Sequence, residues 1–338
     1  MRLHVGFGRM VVWALLLASP ACAWALDLLV SNQSSDSVWR LSTRDGSRRG
    51  EHRTGDSPHQ LAFDPQRKLA VVSNYGDLQA GNSLSLLDLD GGAPTRRLDL
   101  GTHVAPHDVR FLPGGDVLVT AEGSASLVRI DTRNGEIRQV FDIGEGTGHM
   151  LEVDPAGRVA WVSKIAKGTI TRIDLATGRK IERVAGRGAE GLALRPGGNE
   201  LWVANRDEGT ITVHDPATLA VRRRMSSRGF PLRVAFSDDG RQAFVINARI
   251  AELQVFDAGT KLPGARVALN PRNLPLHDTA LGAGVWPLGI AVDSARSRIY
   301  VAISGADRIA VIDMRTWDVI DYWVTGREPG ALLLVPQA

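Results

Sequence analysis

The sequence predicts an all-β fold in which one four-stranded antiparallel unit is repeated seven times around a closed ring. Residues 106–144 alternate apolar and polar side chains in four short segments separated by Gly, Pro, Asn and Asp, which is typical of a β-meander. The start of this unit recurs at intervals of 41 to 56 residues, at His59, His107, His149, Glu190, Leu232, Leu288 and Gly330. Most intervals are about 42 residues, a period that indicates the blades of a seven-bladed β-propeller.

Within each unit the strands follow in the same order. Second strands such as VLVTAEG and LWVANRD are followed by third strands such as SLVRID and TITVH. Insertions at residues 77–82 and 270–283 account for the two longest intervals. An aspartate recurs near the end of the third strands, where its carboxylate should accept hydrogen bonds from the N–H groups of the next turn. These aspartates are Asp88, Asp131, Asp174, Asp215, Asp257 and Asp313.

The two ends of the chain complement each other. The segments LDLLVSNQ, SVWRLST and GEHRT, which begin at residue 26, match a second, a third and a fourth strand without a first one. Residues 329–335 match a first strand with nothing after it. We therefore predict that both termini share the seventh blade, which closes the ring and leaves no sheet edge at the seam. The predicted domain is a single propeller over residues 26–338.

Residues 1–25 have the pattern of a bacterial Sec-type signal peptide. Arg2 and Arg9 provide the positive start, residues 10–18 form an apolar run, and Ala23-Trp24-Ala25 is a small-residue cleavage site. Cleavage after Ala25 predicts a periplasmic or secreted protein that keeps no membrane span. It also removes Cys22, the one cysteine of the chain, and with it any disulfide, whereas lipidation at that residue is the alternative.

The charge balance argues against a nucleic-acid partner. Cleavage removes Arg2 and Arg9 from the 40 basic residues, which leaves 38 against 37 acidic residues. Arginines cluster on the predicted outer strands, where charge prevents sheets from pairing edge to edge, and an anionic-partner surface is the alternative. We expect a small-molecule or protein partner and a monomeric protein.

Polar residues converge on one face of the predicted ring. The first strand of each blade is innermost, so first-strand starts and second-strand ends surround one mouth of the central channel. The insertion at 270–283 emerges on the same face and could cover the mouth, and Trp286 is the aromatic residue considered for ligand stacking. The predicted ligand-binding residues are His59, Asn74, His107, Glu122, His149, Lys164, Glu190, Asn205, Arg206, Arg233 and Asn247.

Three hypotheses for the histidines are open. In the first, they satisfy backbone groups and bind water at the channel mouth. In the second, His59, His107 and His149 bind a divalent metal ion such as Zn²⁺, with Glu190 or Glu122 as the fourth ligand. The same hypothesis includes a haem-type ligand set, and the residues leave the identity of the cofactor open.

The third hypothesis is acid–base catalysis on an anionic small molecule. His107, His149 or Glu122 would transfer the proton, because these side chains titrate or can be tuned to titrate near neutral pH. Lys164, Arg206 and Arg233 would hold a carboxylate or a phosphate of the substrate.

Two segments, LWVANRDEGTITVHDPAT and IYVAISGADRIAVIDMRTWDVI, resemble the YVTN-type β-propeller repeat of exported bacterial proteins. The chain is also similar to the lactonase-like propellers, because PHQLAFDP at residues 58–65 looks like the opening motif of that group. Pro106-His107 with Glu122 is similar to its other recurring His and Glu positions. The resemblance implies a seven-bladed propeller and, for the lactonase-like group, lactone hydrolysis or cycloisomerisation.

These observations predict an exported propeller that binds a small anionic ligand or a metal ion at a histidine-rich channel mouth, or that scaffolds a partner. The alternative is a lactonase-like enzyme. Whether the protein is an enzyme at all is left open by the residues themselves.

Overall fold

The computed structural model describes residues 26–90, 94–271 and 273–337, so the predicted signal peptide lies outside the described residues. These ranges form seven four-stranded antiparallel sheets, with five short 3-10 turns and no α-helix among the residues described. In this part of the chain, none of the helical segments has the length and apolar character that crossing a membrane requires. The predicted fold class, a seven-bladed β-propeller, is confirmed.

The chain begins in blade 7 with β1 (Leu26–Asn32), β2 (Ser37–Ser42) and β3 (Arg48–Arg53). Blade 1 has β4 (Pro58–Asp64), β5 (Leu69–Asn74), β6 (Ser83–Asp88) and β7 (Arg96–Asp99), and blade 2 has β8 (Pro106–Phe111), β9 (Asp116–Ala121), β10 (Ser126–Asp131) and β11 (Ile137–Asp142). Blade 3 has β12 (Gly148–Val153), β13 (Val159–Lys164), β14 (Thr169–Asp174) and β15 (Lys180–Val184), and blade 4 has β16 (Ala189–Leu194), β17 (Leu201–Asn205), β18 (Thr210–His214) and β19 (Val221–Ser226). Blade 5 has β20 (Pro231–Phe236), β21 (Gln242–Asn247), β22 (Glu252–Asp257) and β23 (Pro263–Ala268), and blade 6 has β24 (Pro287–Asp293), β25 (Arg298–Ile303), β26 (Arg308–Asp313) and β27 (Asp318–Val324). The last strand, β28 (Pro329–Pro336), returns to blade 7, and the 3-10 turns are Gln33–Ser35, Glu122–Ser124, Ala248–Ile250, Ser294–Arg296 and Ser304–Ala306.

The ring closes through a blade that both termini build, as predicted. Strand β28 is the innermost strand of blade 7 and pairs antiparallel with β1, placing Leu334 opposite Leu28 and Leu332 opposite Val30. The innermost strands contact one another in ring order, and β28 contacts both β24 and β4. Because every inner strand has a neighbour on each side, no inner edge is left at the seam.

The hydrophobic core lies between neighbouring blades. Trp202 and Tyr300 are fully buried there, as their mid-strand positions predict. Trp161 of blade 3 is also buried, and its indole N–H donates to the Pro216 carbonyl oxygen of blade 4 at 2.9 Å. Apolar packing between blades holds them at a fixed angle, so the loops at the channel mouth have a rigid base.

The recurring aspartates close the turns after the third strands. Asp131 accepts from the backbone N–H of Arg133 at 2.8 Å, and Asp257 accepts from that of Thr260 at 2.7 Å. The aspartates at 88, 174, 215 and 313 accept equivalent bonds. This local carboxylate–backbone bonding is the expected turn chemistry and confirms the structural interpretation of these residues.

Candidate functional site at the channel mouth

A bulge at the start of every inner strand positions the residues of the mouth. In all seven blades the register between the first and second strands shifts just after the first residue of the inner strand. Bulges of this kind redirect side chains at the rims of closed sheets. The second residues of β4, β8, β12 and β16 are His59, His107, His149 and Glu190. Four consecutive blades therefore present one polar side chain each at the mouth.

Buried hydroxyl groups of one blade form hydrogen bonds to the backbone of these four residues in the next blade. Thr120, for example, accepts from the backbone N–H of Asp108 in its own blade at 3.0 Å and donates to the carbonyl oxygen of His149 in the next blade at 2.8 Å. Ser31, Ser73 and Ser163 donate in the same way to the carbonyl oxygens of His59, His107 and Glu190, at 2.9, 2.5 and 2.6 Å. The corresponding positions of blades 4 to 6 carry no hydroxyl and are Ala204, Ile246 and Ala302.

The three histidines form a row of rings in contact. The ring centres of His59 and His107 are 4.4 Å apart, and those of His107 and His149 are 3.6 Å apart. Gln33 donates to Nδ1 of His59 at 2.9 Å, and the ring of Tyr75 lies 5.0 Å from that of His59. Burial lowers the pKa of His59 to about 3, and burial also holds the pKa of His107 well below its ordinary value. Both of these imidazoles are therefore neutral bases.

His149 lies between two carboxylates, and its pKa is raised rather than lowered. Its Nδ1 bonds Oε1 of Glu122, and its Nε2 lies 3.3 Å from Oε1 of Glu190. Burial alone would lower the pKa of His149, but the charge of Glu190 and the bond to Glu122 outweigh burial and raise it. Glu190 also pairs with Arg206 and, at 3.0 Å, with Arg233. Burial raises its pKa, but His149 and the two arginines more than offset this and lower it to about 2.

A cavity of about 350 Å³ opens above this cluster. His59, His107 and His149 line it on one side, and Arg206, Arg233 and Arg249 line it from blades 4 and 5. The apolar part of its wall consists of Phe230, Leu232, Trp286 and Leu288. The insertion at 270–283 supplies residues 279–281 to the lining, so it covers the mouth as expected.

His277 of the insertion serves as an anchor outside the cavity lining. Its Nε2 bonds Asp307 at 2.8 Å, and its backbone N–H donates to the Gly305 carbonyl oxygen at 2.9 Å. Near the other end of the insertion, the indole N–H of Trp286 donates to the Gly282 carbonyl oxygen at 3.0 Å. These bonds hold the covering segment against blade 6.

Five of the predicted ligand-binding residues do not line the cavity, namely Glu122, which bonds His149, and four residues whose side chains bond neighbours elsewhere. Asn74 bonds Ser83 and Ser85, and Lys164 is fully buried with its ammonium group 2.8 Å from Glu182. Asn205 likewise bonds Thr210 and Thr212 of its own blade. Asn247 bonds Glu252 of its own blade and Ser227 of the segment that leads from blade 4 to blade 5. The expectation that they face a ligand is corrected accordingly.

The reason for this correction is the alternation of side chains at the strand ends. In blades 1 and 4 the last residue of the second strand, Asn74 or Asn205, bonds within its own blade, and the next residue points to the mouth, since successive side chains face opposite ways. Tyr75 and Arg206 occupy that next position. Pro58 pairs with Asn74, 16 residues on, but Pro106 pairs with Ala121, 15 residues on. The first hairpin of blade 2 is one residue shorter, and Glu122 therefore reaches the mouth.

The sequence reasoning missed several residues of the site. Gln33, Tyr75 and Arg249 lie one or two residues after the end of a second strand. The same alignment of repeats would have identified them if the positions just after each second strand had been compared as well. Phe230 lies just before β20, and its ring contacts the guanidinium groups of Arg206 at 5.2 Å and Arg249 at 4.1 Å.

No model of a protein family matches the chain, and no curated protein sequence matches it. Solved structures that it resembles include hydrazine synthase of Kuenenia stuttgartiensis (TM-score 0.71, 16% identity, 85% of this chain and 92% of that one). They also include the periplasmic gluconolactonase of Pseudomonas aeruginosa (TM-score 0.71, 16% identity, 93% of this chain and 99% of that one). A Bacteroides fragilis protein proposed to be a 6-phosphogluconolactonase is similar as well (TM-score 0.73, 13% identity, 93% of this chain and 99% of that one).

These likenesses establish the fold and leave the activity open, because the proteins share little sequence and are described by different functions. The similarity to lactonase-like seven-bladed propellers therefore holds at the level of the fold. The assignment to the YVTN repeat stays a prediction.

Proposed function

We propose that the cavity at the channel mouth binds a small organic anion. The observation that carries this proposal is the presence of Arg206, Arg233 and Arg249 in the lining of one cavity of about 350 Å³. That volume suits a small molecule, and guanidinium groups hold carboxylate or phosphate through paired hydrogen bonds. Trp286 and Leu288, which also line the cavity, would contact the uncharged part of the ligand.

Arg249 is the cation best placed to pair with a ligand. Arg206 and Arg233 already contact Glu190. The guanidinium group of Arg249 lies over the ring of Phe230, and no carboxylate of the described residues pairs with it. Its charge is therefore available at the cavity without breaking an existing ion pair.

The test is ligand binding by an Arg249→Ala variant. A thermal-shift panel of sugar acids, hydroxy acids and sugar phosphates identifies ligands, and titration calorimetry gives their affinities. Loss of one charge-assisted hydrogen bond costs about 1.5–3 kcal/mol, so we expect affinity to fall by roughly 10- to 100-fold. Arg158→Ala is the matched control, because that side chain is 80% exposed in a turn on the opposite face. Equal affinity in both variants, or no binder in the panel, would contradict the proposal.

Lactone hydrolysis is the second candidate, because an enzyme of this kind needs a base and a cation facing one cavity. In that reaction a neutral imidazole takes a proton from water as the water oxygen bonds to the lactone carbonyl carbon. An arginine stabilises the oxyanion, and the ring C–O bond then breaks as the leaving oxygen receives the proton. The gluconolactonase with a similar fold supports testing this reaction. Turnover of γ- and δ-lactones above the buffer rate, lost in His107→Ala, is the expected result, because His107 is a neutral imidazole in the cavity lining. Carboxylate binding without turnover would exclude this reaction.

We also propose that the protein is exported to the periplasm. The A-x-A site ends at Ala25, and β1 begins at Leu26, so cleavage there leaves every described strand intact. One of the similar folds is itself a periplasmic protein. Intact mass measurement of the protein from a periplasmic fraction should give a chain that starts at Leu26. An N-terminus at Met1, or recovery only from the cytoplasm, would contradict export.

A further inference from the structure

We propose that His107, His149 and Glu122 form a binding site for a divalent transition metal ion of the Zn²⁺ class. One potential ligand atom of each residue lies within 4.8 Å of the corresponding atoms of the other two. A tetrahedral Zn²⁺ ion with ligands at about 2.0–2.2 Å needs donor atoms roughly 3.5 Å apart, which small side-chain rotations would achieve. Two histidines and one glutamate, with a fourth position open, form a ligand set that zinc accepts.

His107 supplies an independent observation that points to a ligand. Its side chain is 1% exposed, and neither of its ring nitrogens has a hydrogen-bond partner among the described residues. Polar atoms buried without partners destabilise a fold, and such atoms are uncommon in native structures. A metal ion bound by both His107 and His149 would occupy one of these nitrogens.

Tyr75 and Glu190 contact two of the proposed ligands, Glu122 and His149, and would orient them. The hydroxyl of Tyr75 donates to Oε2 of Glu122 at 2.9 Å, which leaves Oε1 of that carboxylate towards His149. If Nδ1 of His149 binds the ion, its Nε2 still faces Glu190 at 3.3 Å. A carboxylate that holds the second nitrogen of a ligating histidine is a recurring support in metal sites.

The proposed ligands differ from the set predicted from the sequence, because they include neither His59 nor Glu190. His59 is held through Nδ1 by Gln33, and Glu190 is engaged by two arginines, so neither is needed as a ligand. His107 and His149 line the cavity, so the open position of the ion would face it. The inference does not depend on the proposed anion, because it can be tested with the metal alone.

The experiment uses the untagged full chain, treated with chelator, dialysed and titrated with Zn²⁺ and Co²⁺. We expect one ion per chain by elemental analysis and visible Co²⁺ absorption bands of a tetrahedral site. His107→Gln and Glu122→Gln should each weaken Zn²⁺ binding by roughly 100-fold, because each removes one ligand of the ion. His103→Ala is the matched control, since that histidine bonds Ser126 at 3.0 Å outside the cavity lining and should leave binding unchanged.

Absence of a bound ion in the wild-type protein, or wild-type affinity in both ligand variants, would overturn the inference. Circular dichroism confirms folding, and His149→Gln replaces any variant that fails to fold. A protein that binds a carboxylate but no Zn²⁺ contradicts the metal site alone. A protein that binds Zn²⁺ but no organic anion contradicts the proposed function alone.

Discussion

Single residues at one repeated position determine the character of the cavity. The second residue of each inner strand follows the bulge and faces the mouth, whatever the blade. In blades 1 to 4 this residue is a histidine or a glutamate, and in blades 5 to 7 it is Leu232, Leu288 or Gly330. One structural position thus supplies both the polar and the apolar side of the cavity, and substitution there changes chemistry more than fold.

Glu152 provides a pH test of how strongly the channel interior is desolvated. It lines the channel together with Arg110, and burial raises its pKa to about 7 although Arg110 opposes the shift. The folded state binds this proton more tightly than an unfolded chain with the ordinary value of 4.5. The stability that the folded state gains by binding this proton on Glu152 is therefore fully present below pH 4.5 and is lost as the pH rises through 7.

We expect Glu152→Gln to raise the melting temperature at pH 8 and to raise it much less at pH 5. The gain in unfolding free energy at pH 8 should be on the order of 2 kcal/mol. Calorimetry of both proteins across this range measures it. Glu145→Gln is the control, because that side chain is 93% exposed and should change little at either pH. An equal gain at both pH values would contradict the account.

The sequence predicted the positions of the histidines but not the direction of every neighbour. The repeat places His59, His107 and His149 correctly, because each begins a unit. The repeat alone cannot show that Lys164 points into its blade. Neighbouring residues of a strand face opposite ways, so an error of one residue in the predicted strand end reverses the predicted direction of the side chain. The shorter hairpin of blade 2 is visible only when the pairing of Pro106 with Ala121 is known.

At the scale of elements, hydroxyl bridges join neighbouring blades at the site. Each bridging hydroxyl accepts an N–H of its own inner strand and donates to a carbonyl oxygen of the next inner strand. The motif was present in the sequence as a serine or threonine one residue before the end of a second strand, in blades 7, 1, 2 and 3. Its partner lies in another blade, so its function could not be deduced before the ring geometry was known.

Thr120→Val tests this bridging function. The substitution keeps the shape of the side chain but leaves the N–H of Asp108 and the carbonyl oxygen of His149 without their bonds. We expect a loss of about 2 kcal/mol in unfolding free energy and weaker ligand binding, measured by denaturant titration and calorimetry.

Thr171→Val is the matched control for this substitution. Its hydroxyl is fully buried and has no hydrogen-bond partner within the described chain. Removing an unpaired buried hydroxyl should be neutral or stabilising. Comparable losses in the two variants would show that the bridge contributes nothing specific.

The whole molecule depends on closure of the ring by β28. This strand buries Ala331, Leu332 and Val335 and covers the inner edge of β1. The repeat period and the complementary termini were enough to predict closure, because a propeller of equal blades leaves only one way to pair the ends. The cavity volume and the fold of the insertion could not be predicted, since both depend on loops with no repeat.

Deletion of residues 329–338 should abolish cooperative folding of the entire propeller. The opened ring would expose the edge of β1 and the apolar faces of blades 6 and 1, which promotes aggregation. Circular dichroism with denaturant and size-exclusion chromatography measure this result. Removal of residues 337–338 alone, which lie beyond β28, should leave a folded monomer. A monomeric, cooperatively folded protein after the longer deletion would contradict closure by β28.

The central claim, that the cavity at the channel mouth binds a small organic anion, is tested most directly by a crystal structure with bound ligand. The ligand would be the tightest carboxylate of the binding panel, soaked at saturating concentration. The account predicts its carboxylate within hydrogen-bond distance of Arg249, with the remainder between Trp286 and the histidine row. Ligand bound only at the outer strands, with the cavity at the channel mouth free of it, would contradict the account.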